Sequence, residues 1–226
     1  MTPPEASLAE LFADTPEELR RQALSHSSWV ERRTSGYGRL AFLGDSVLGL
    51  AVATELFKSL PEADIGELTK IHNQAVSGRA CAAVARELGL IEQLRGSAPA
   101  EGAGVPVETL VSSERTIASI CEAVIGACYL HHGFERTAPA IVGAFARQVE
   151  LASETVLDFK SALQERVAST GGRVRYEVTS EDGPPHDRSF VVGVTVDGEQ
   201  VGAGGGRSKK AAEQAAAAEA LERLGE

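Results

Sequence analysis

The spacing of apolar residues changes near residue 153, and this change limits the possible folds more than any other feature of the chain. From Pro16 to about Ser153, apolar residues recur at intervals of three and four, the spacing of one face of an α-helix. The spacing is clear in Leu40, Leu43, Val47, Leu50, Ala51 and Phe57, and again within Ala75–Leu88, Thr116–Leu130 and Ala138–Leu151. Breaks are predicted at Gly66, Gly89, 96–104 and Gly133. The sequence therefore predicts an all-α domain over residues 1–152.

Beyond a short linker at 153–156, the pattern predicts a separate small α+β domain at 157–226. A short helix at 157–169 is followed by segments of β-strand character, and an Ala-rich helix at 208–224 ends the domain. The predicted strands are 173–179, 189–196 and 200–204. The order α-β-β-β-α in about 70 residues is typical of an independent module.

Charge and composition narrow the class of protein. The net charge of −10 argues weakly against a nucleic-acid partner, and residues 156–226 hold nine Lys or Arg against twelve Asp or Glu. Apolar stretches such as Val47–Ala53 are far shorter than a membrane span. His131 and His132 are interpreted as the polar end of a helix rather than as metal ligands. The three cysteines are interpreted as core residues of a cytoplasmic protein without a membrane partner: Cys81, Cys121 and Cys128.

The most specific local signal precedes the last predicted helix. Gly202–Gly206 suggests a flexible turn, and Arg207, Ser208, Lys209 and Lys210 follow it at the helix start. Free backbone amides, the positive end of the helix dipole and cationic side chains together predict an anion-binding site. No Gly-Lys-Ser/Thr triplet of a nucleotide-binding P-loop occurs, so no nucleotide cofactor is expected.

Residues 157–226 resemble a double-stranded-RNA-binding domain over its full length. The resemblance lies in the segment 158–165, the turn Gly183–His186 and the helix start at 206–214. Such domains recognise duplex shape across two minor grooves and the phosphates between them. The resemblance implies that Gln164 and His186 contact the minor grooves and that Lys209 and Lys210 hold phosphates. The full implied RNA surface is Gln164, Glu165, His186, Arg207, Ser208, Lys209 and Lys210.

Three segments of the first domain resemble the catalytic domain of bacterial ribonuclease III: 23–28, 39–48 and 122–130. The resemblance implies a homodimeric endoribonuclease that cleaves double-stranded RNA in ribosomal and messenger RNA processing. It further implies Mg²⁺ as cofactor, with Mn²⁺ as a substitute, and products with 5′-phosphate and 3′-hydroxyl ends. The helical spacing itself does not separate a dimer from a monomer that buries every apolar face.

Asp45 and Glu122 are single carboxylates within apolar helical segments. Because burial of an unpaired charge costs several kcal/mol, each needs a partner, and a shared hydrated Mg²⁺ would supply one. Two structural alternatives stay open: Asp45 as the N-cap of a helix that begins at Ser46, and Glu122 in an ion pair with an arginine. The resemblance implies that Asp45 and Glu122 are catalytic and hold the metal, with Ser119 as a weak or water-mediated ligand.

The chain departs from the family pattern at the predicted metal site. Ala41 stands where the family has a glutamate, one helical turn before Asp45, and Ser119 stands where it has an aspartate. Gly38 also replaces a glutamate of the family pattern. Two hypotheses follow: an endoribonuclease with a weakened metal site, and a double-stranded-RNA-binding protein whose nuclease domain serves only as a dimer scaffold.

Overall fold

The computed structural model describes residues 6–100, 103–156, 159–183 and 188–225, and the chain divides into two compact units, Met1–Ala152 and Ser153–Glu226. The described part of the first unit is helical, as predicted, with one 3-10 turn at Arg33–Ser35. Its helices are α1 (Leu8–Asp14), α2 (Glu17–Ala23), α3 (Gly38–Ser59), α4 (Ile65–Ala75), α5 (Gly78–Glu87), α6 (Leu90–Gly96), α7 (Val107–Val111), α8 (Glu114–His132) and α9 (Phe134–Val156), of which the last four residues belong to the second unit.

Three details of the helical unit differ from the sequence prediction. The segment 153–156, assigned to a linker, continues α9, because it contains neither glycine nor proline to end the helix. The helix break predicted at Gly66 lies earlier, and Gly66 is inside α4. The helix begins directly after Asp64, which caps it in a capping box with Glu67. Helix α1 was not predicted, although Ser7 and Glu10 form a second capping box that marks its start.

Helices α3 and α8 form the centre of the first unit, and glycines bring their backbones into contact. A Cβ atom on Gly44 would lie 1.7 Å from the backbone oxygen of Glu122, and one on Gly126 would lie 2.2 Å from that of Leu40. Only glycine allows such an approach. All three cysteines, Cys81, Cys121 and Cys128, are buried and free, so their interpretation as core residues is confirmed.

Helix α3 is the one helix in the described part of the chain that is long and apolar enough to cross a membrane, by length and composition alone. The sequence pattern predicted no membrane-spanning helix here, because polar residues such as Asp45 and Thr54 limit the apolar stretch to Val47–Ala53. The buried residues of α3 include Leu40, Val47 and Leu48. Its apolar character therefore fits the core helix of a helical unit.

The second unit has the predicted order of elements. An antiparallel sheet in the order β1-β2-β3 carries helices that pack around one core, which includes Leu163, Val192 and Ala216. Its elements are α10 (Phe159–Ala168), β1 (Val174–Asp182), β2 (Ser189–Val196), β3 (Glu199–Gly206) and α11 (Lys209–Arg223).

The run Gly202–Gly206 is not the flexible turn that the sequence suggested, because it lies within β3. Gly202, Gly204 and Gly206 alternate along the strand, and a Cβ atom on any of them would lie within 2.6 Å of the backbone of α11. The glycines thus let β3 pack directly on the Ala-rich helix. The turn before α11 consists of Arg207 and Ser208 alone.

Candidate active site

The contact between α3 and α8 places Asp45 near Glu122. Asp45 follows Gly44 in α3 and is exposed, whereas Glu122 is half-buried on α8 at the point where Gly44 touches its backbone. Burial, together with the negative charge of Asp45, raises the pKa of the Glu122 carboxyl to about 7. The two carboxylates are therefore close enough to repel each other.

This geometry excludes both structural alternatives for the two carboxylates. Asp45 is the eighth residue of α3 and so cannot cap its start. Glu122 forms no ion pair with any Lys, Arg or His among the described residues, and its pKa is raised rather than lowered. The pair carries an electrostatic strain that a bound cation would relieve.

The donor set fits a divalent cation that keeps most of its water shell. Mg²⁺ in proteins is commonly held by one or two carboxylates and several water molecules, and Asp45 and Glu122 supply two. Ser119 lies one turn before Glu122 and is half-buried, whereas Ala41 is buried and offers no ligand. Among the described residues, no third Asp, Glu, His or Cys joins the pair in a cluster with metal-ligand spacing.

Tyr37 and Thr116 also belong to this region, and the sequence did not indicate them. The pKa of the Tyr37 hydroxyl is raised, mainly by burial and also by the negative charge of Glu122. The hydrogen bond with the Thr116 side chain and the charge of Arg115 act in the opposite direction. The sequence could have indicated Thr116, because Thr116, Ser119 and Glu122 recur at intervals of three and therefore share one face of α8.

The segment 23–28 has a structural role. The Ser28 hydroxyl accepts a hydrogen bond from the Val105 backbone N–H at 2.9 Å, and the Trp29 indole N–H donates to the Val105 carbonyl oxygen at 2.8 Å. The Tyr37 N–H donates to the Ser25 carbonyl oxygen at 2.9 Å. The segment thus fastens the loop before α7 and the residue that precedes α3.

In the second unit, four predicted RNA contacts meet at the start of α11. Ser208 caps the helix, because its hydroxyl accepts a hydrogen bond from the Ala211 N–H at 3.1 Å. The Lys209 ammonium lies 5.5 Å from the centre of the Phe190 ring, and that of Lys210 lies 2.7 Å from a Glu154 carboxylate oxygen. Arg207 is exposed beside them.

The remaining predicted contacts lie elsewhere. Gln164 and Glu165 are exposed on α10, as expected of a surface that meets a ligand. His186 lies outside the described residues. All of these RNA contacts stay predictions.

Comparison with known proteins agrees with both units. A family model described as "Ribonuclease-III-like" matches residues 16–149, and one described as "Double-stranded RNA binding motif" matches residues 159–224. Ribonuclease 3 of Pelotomaculum thermopropionicum is 42% identical over 212 residues, which cover 91% of this chain and 86% of the relative. Ribonuclease 3 of Bacillus cereus strain AH187 is 39% identical over 223 residues, with coverages of 94% and 87%.

A solved nuclease domain of ribonuclease III from Campylobacter jejuni is 24% identical, with a TM-score of 0.49 over 62% of this chain and 95% of that one. The two units and the neighbouring carboxylates define a protein that joins a nuclease domain to an RNA-binding domain. The chain belongs to the ribonuclease III family. The family and the attached RNA-binding motif support the function of a double-stranded-RNA endoribonuclease.

Proposed function

We propose that the protein cleaves double-stranded RNA with Mg²⁺ held at a site that has fewer ligands than the family pattern. The observation that carries this proposal is the pair of neighbouring carboxylates, Asp45 and Glu122, on two helices whose backbones meet at Gly44. The pair survives although Ala41 and Ser119 have replaced its expected neighbours.

Asp45 and Glu122 would hold the metal, and Ser119 would contribute a hydroxyl directly or through water. A Mg²⁺ ion held there would supply the charge that activates water for in-line attack on the phosphodiester and that stabilises the leaving 3′-oxygen, which would give 5′-phosphate and 3′-hydroxyl ends. Glu122 would give up its proton on binding a cation, because the positive charge favours the carboxylate form. Metal affinity is therefore expected to rise with pH around neutrality.

A second candidate is a double-stranded-RNA-binding protein with an inactive nuclease domain. Ala41 and Ser119 favour it, since neither residue supplies a carboxylate. The kinship with ribonuclease III favours the nuclease instead. The metal requirement of cleavage separates the two candidates.

We also propose that two copies pair through an exposed apolar surface on α3, formed by Phe42, Leu50 and Phe57. These side chains are 80%, 57% and 76% exposed. At 100° per residue they lie within about 80° of one another on the helix. An exposed surface of large apolar side chains, on a helix whose opposite side packs in the core, is typical of a protein interface, and a second copy of the chain fits it by two-fold symmetry.

The test is cleavage of a long RNA duplex by the full-length protein over a series of Mg²⁺ and Mn²⁺ concentrations, with chelator as the blank. We expect cleavage that needs unusually high Mg²⁺ or prefers Mn²⁺. The variant Ala41→Glu with Ser119→Asp should cleave faster and at lower metal concentration, because each added carboxylate lies one turn from the existing one.

Glu122→Gln is the matched control, and it should lose cleavage while it still binds the duplex. If the natural protein is inert with both metals and the doubly restored variant cleaves, the binding-protein candidate is correct. If the restored variant is also inert, the assignment of Asp45 and Glu122 to a metal site is wrong.

A further inference from the structure

A second group of side chains that can bind a metal lies at the C-terminal end of α8. One ring nitrogen each of His131 and His132 and a carboxylate oxygen of Asp14 lie within 4.8 Å of one another. Among the described residues, this is the one cluster of three or more His, Cys, Asp or Glu side chains with such spacing. His131 is about nine helical residues, or roughly 14 Å, from Glu122, so the cluster is separate from the active site.

His132 has a hydrogen bond of the kind that orients metal-binding histidines. Its Nε2 atom lies 2.9 Å from the backbone oxygen of Leu11, and when Nε2 donates there, the lone pair of Nδ1 is left for a cation. Metal-binding histidines commonly use such a carbonyl to fix the ring and its tautomer. The same Leu11 oxygen accepts a hydrogen bond from the buried Thr15 hydroxyl at 2.9 Å, so its position is fixed from two sides.

The surrounding structure holds the other two side chains in place. The rings of His131 and His132 meet edge to face, with their centres 4.5 Å apart. Asp14 ends α1, whose residues Leu11 and Phe12 are buried. The C-terminal end of α8 carries the negative end of the helix dipole, which favours a cation.

The donor chemistry selects the class of ion. Two imidazole nitrogens and one carboxylate oxygen suit Zn²⁺ and similar transition metals, whereas Mg²⁺ and Ca²⁺ prefer oxygen ligands alone. Three protein ligands leave a fourth tetrahedral position for water. We propose that Asp14, His131 and His132 bind one Zn²⁺ ion, which fastens the end of α1 to the end of α8.

This proposal replaces the interpretation of His131 and His132 as only the polar end of a helix. Nothing in the sequence pattern indicates the third ligand, because Asp14 is 117 residues before His131 and only the packing of α1 brings it there. The site is independent of the proposed nuclease activity.

The test is a titration of full-length, tag-free protein with Zn²⁺ alone, after removal of metals with chelator. A Glu122→Gln background keeps binding at the active site out of the signal. We expect one equivalent of Zn²⁺ to bind and to raise the thermal midpoint. We also expect bound Co²⁺ to give the visible absorption of a four-coordinate ion.

Asp14→Asn and His131→Ala should each weaken Zn²⁺ binding by at least about tenfold. Both side chains are exposed, so neither change is expected to alter the thermal midpoint in chelator. His72→Ala is the matched control: the His72 Nε2 also lies near a backbone oxygen, that of Gly49 at 3.1 Å, but the residue is not in the cluster. The proposal is wrong if Zn²⁺ does not saturate a site at micromolar concentration, or if Asp14→Asn and His131→Ala bind it as tightly as His72→Ala.

Discussion

The chemistry of the proposed active site depends on two carboxylates that repel each other. Burial holds the pKa of Glu122 at about 7, with a further contribution from the charge of Asp45, so Glu122 is partly protonated near neutral pH when no cation is present. A cation reverses this balance, because it interacts with the charged form of both groups. Proton release and metal binding are therefore linked at this site.

The raised pKa of Glu122 predicts that the metal-free protein loses stability as pH rises. The pKa in the folded state, about 7, lies above the ordinary value of 4.5, so the folded state holds the proton more tightly than the unfolded state. The contribution is fully present below about pH 4.5 and is lost as pH rises towards 7. Urea unfolding in chelator over this pH range measures it.

Glu122→Gln should show a smaller fall in the free energy of unfolding over the same pH range, since its side chain does not ionise. Asp45→Asn should keep most of the fall, because burial is the larger cause of the shift. Equal pH dependence in the natural protein and in Glu122→Gln would contradict the prediction.

The sequence indicated Asp45 and Glu122 as single carboxylates in apolar helical segments, and the resemblance placed them at one site; the structure places them near enough for the charge of Asp45 to raise the pKa of Glu122, while their role as metal ligands stays a prediction. The sequence did not indicate Tyr37, since tyrosine before a helix has no distinctive pattern and Thr116 lies far along the chain. Contacts of this kind depend on how α3 crosses α8, which helical spacing does not determine.

At the scale of elements, both units depend on glycines that bring backbones together. In the first unit Gly44 and Gly126 join α3 to α8, and in the second Gly202, Gly204 and Gly206 join β3 to α11. The sequence pattern wrongly predicted a flexible turn for the second set, because mobile glycines and closely packed glycines look the same in a sequence. The strand boundaries were predicted within three residues, since strand alternation is a local property.

Gly44→Ala should strongly destabilise the protein, because the added Cβ would lie 1.7 Å from the Glu122 backbone oxygen and the helices must separate. We expect the free energy of unfolding to fall by roughly 3 kcal/mol or more. Gly49→Ala is the control on the same helix, where the nearest atom is a His72 ring nitrogen at 3.7 Å. This change should be neutral or stabilising by up to about 1 kcal/mol. Similar decreases in both variants by urea unfolding would contradict the close approach of the two helices.

The lysines at the start of α11 lead to a prediction about how the affinity for RNA depends on salt. If Lys209 and Lys210 hold phosphates, their replacement by Ala should weaken binding to all duplexes alike. The slope of log affinity against log salt should also flatten by roughly 0.7 to 0.9 for each phosphate that is no longer bound. Binding is measured in the Glu122→Gln background to prevent cleavage, with Arg223→Ala at the far end of α11 as control. An unchanged slope in the double variant would place the RNA surface elsewhere.

At the scale of the whole molecule, α3 is apolar on two sides, one against α8 and the other towards solvent. The sequence grouped Leu50 and Phe57 with Leu40 and Val47 in one apolar series, yet the first two are exposed and the last two are buried. Apolar spacing predicts that a face is to be covered, but it does not identify what covers it. The exposed side is the physical basis for expecting a second copy of the chain.

Phe57→Glu should therefore convert a dimer into a monomer. Full burial of a phenylalanine side chain stabilises by about 1.5 to 3 kcal/mol, and two-fold symmetry doubles the effect because each copy contributes Phe57. A charged side chain in its place would also be desolvated without a partner. In sedimentation at micromolar concentration, the natural protein should appear near 47 kDa, twice the 23.7 kDa of the chain, and Phe57→Glu near 24 kDa.

Leu224→Glu is the control for this dimer prediction, since it places the same charge at an exposed apolar position of the second unit. It should leave the dimer intact, because the proposed interface lies on α3. A natural protein that sediments only as a monomer, or a Phe57→Glu variant that remains a dimer, would contradict the assignment of the α3 surface. Because Asp45 lies on the same helix between Phe42 and Leu50, dissociation of the dimer should also reduce cleavage of both strands of a duplex, which gives a second measurement of the same interface.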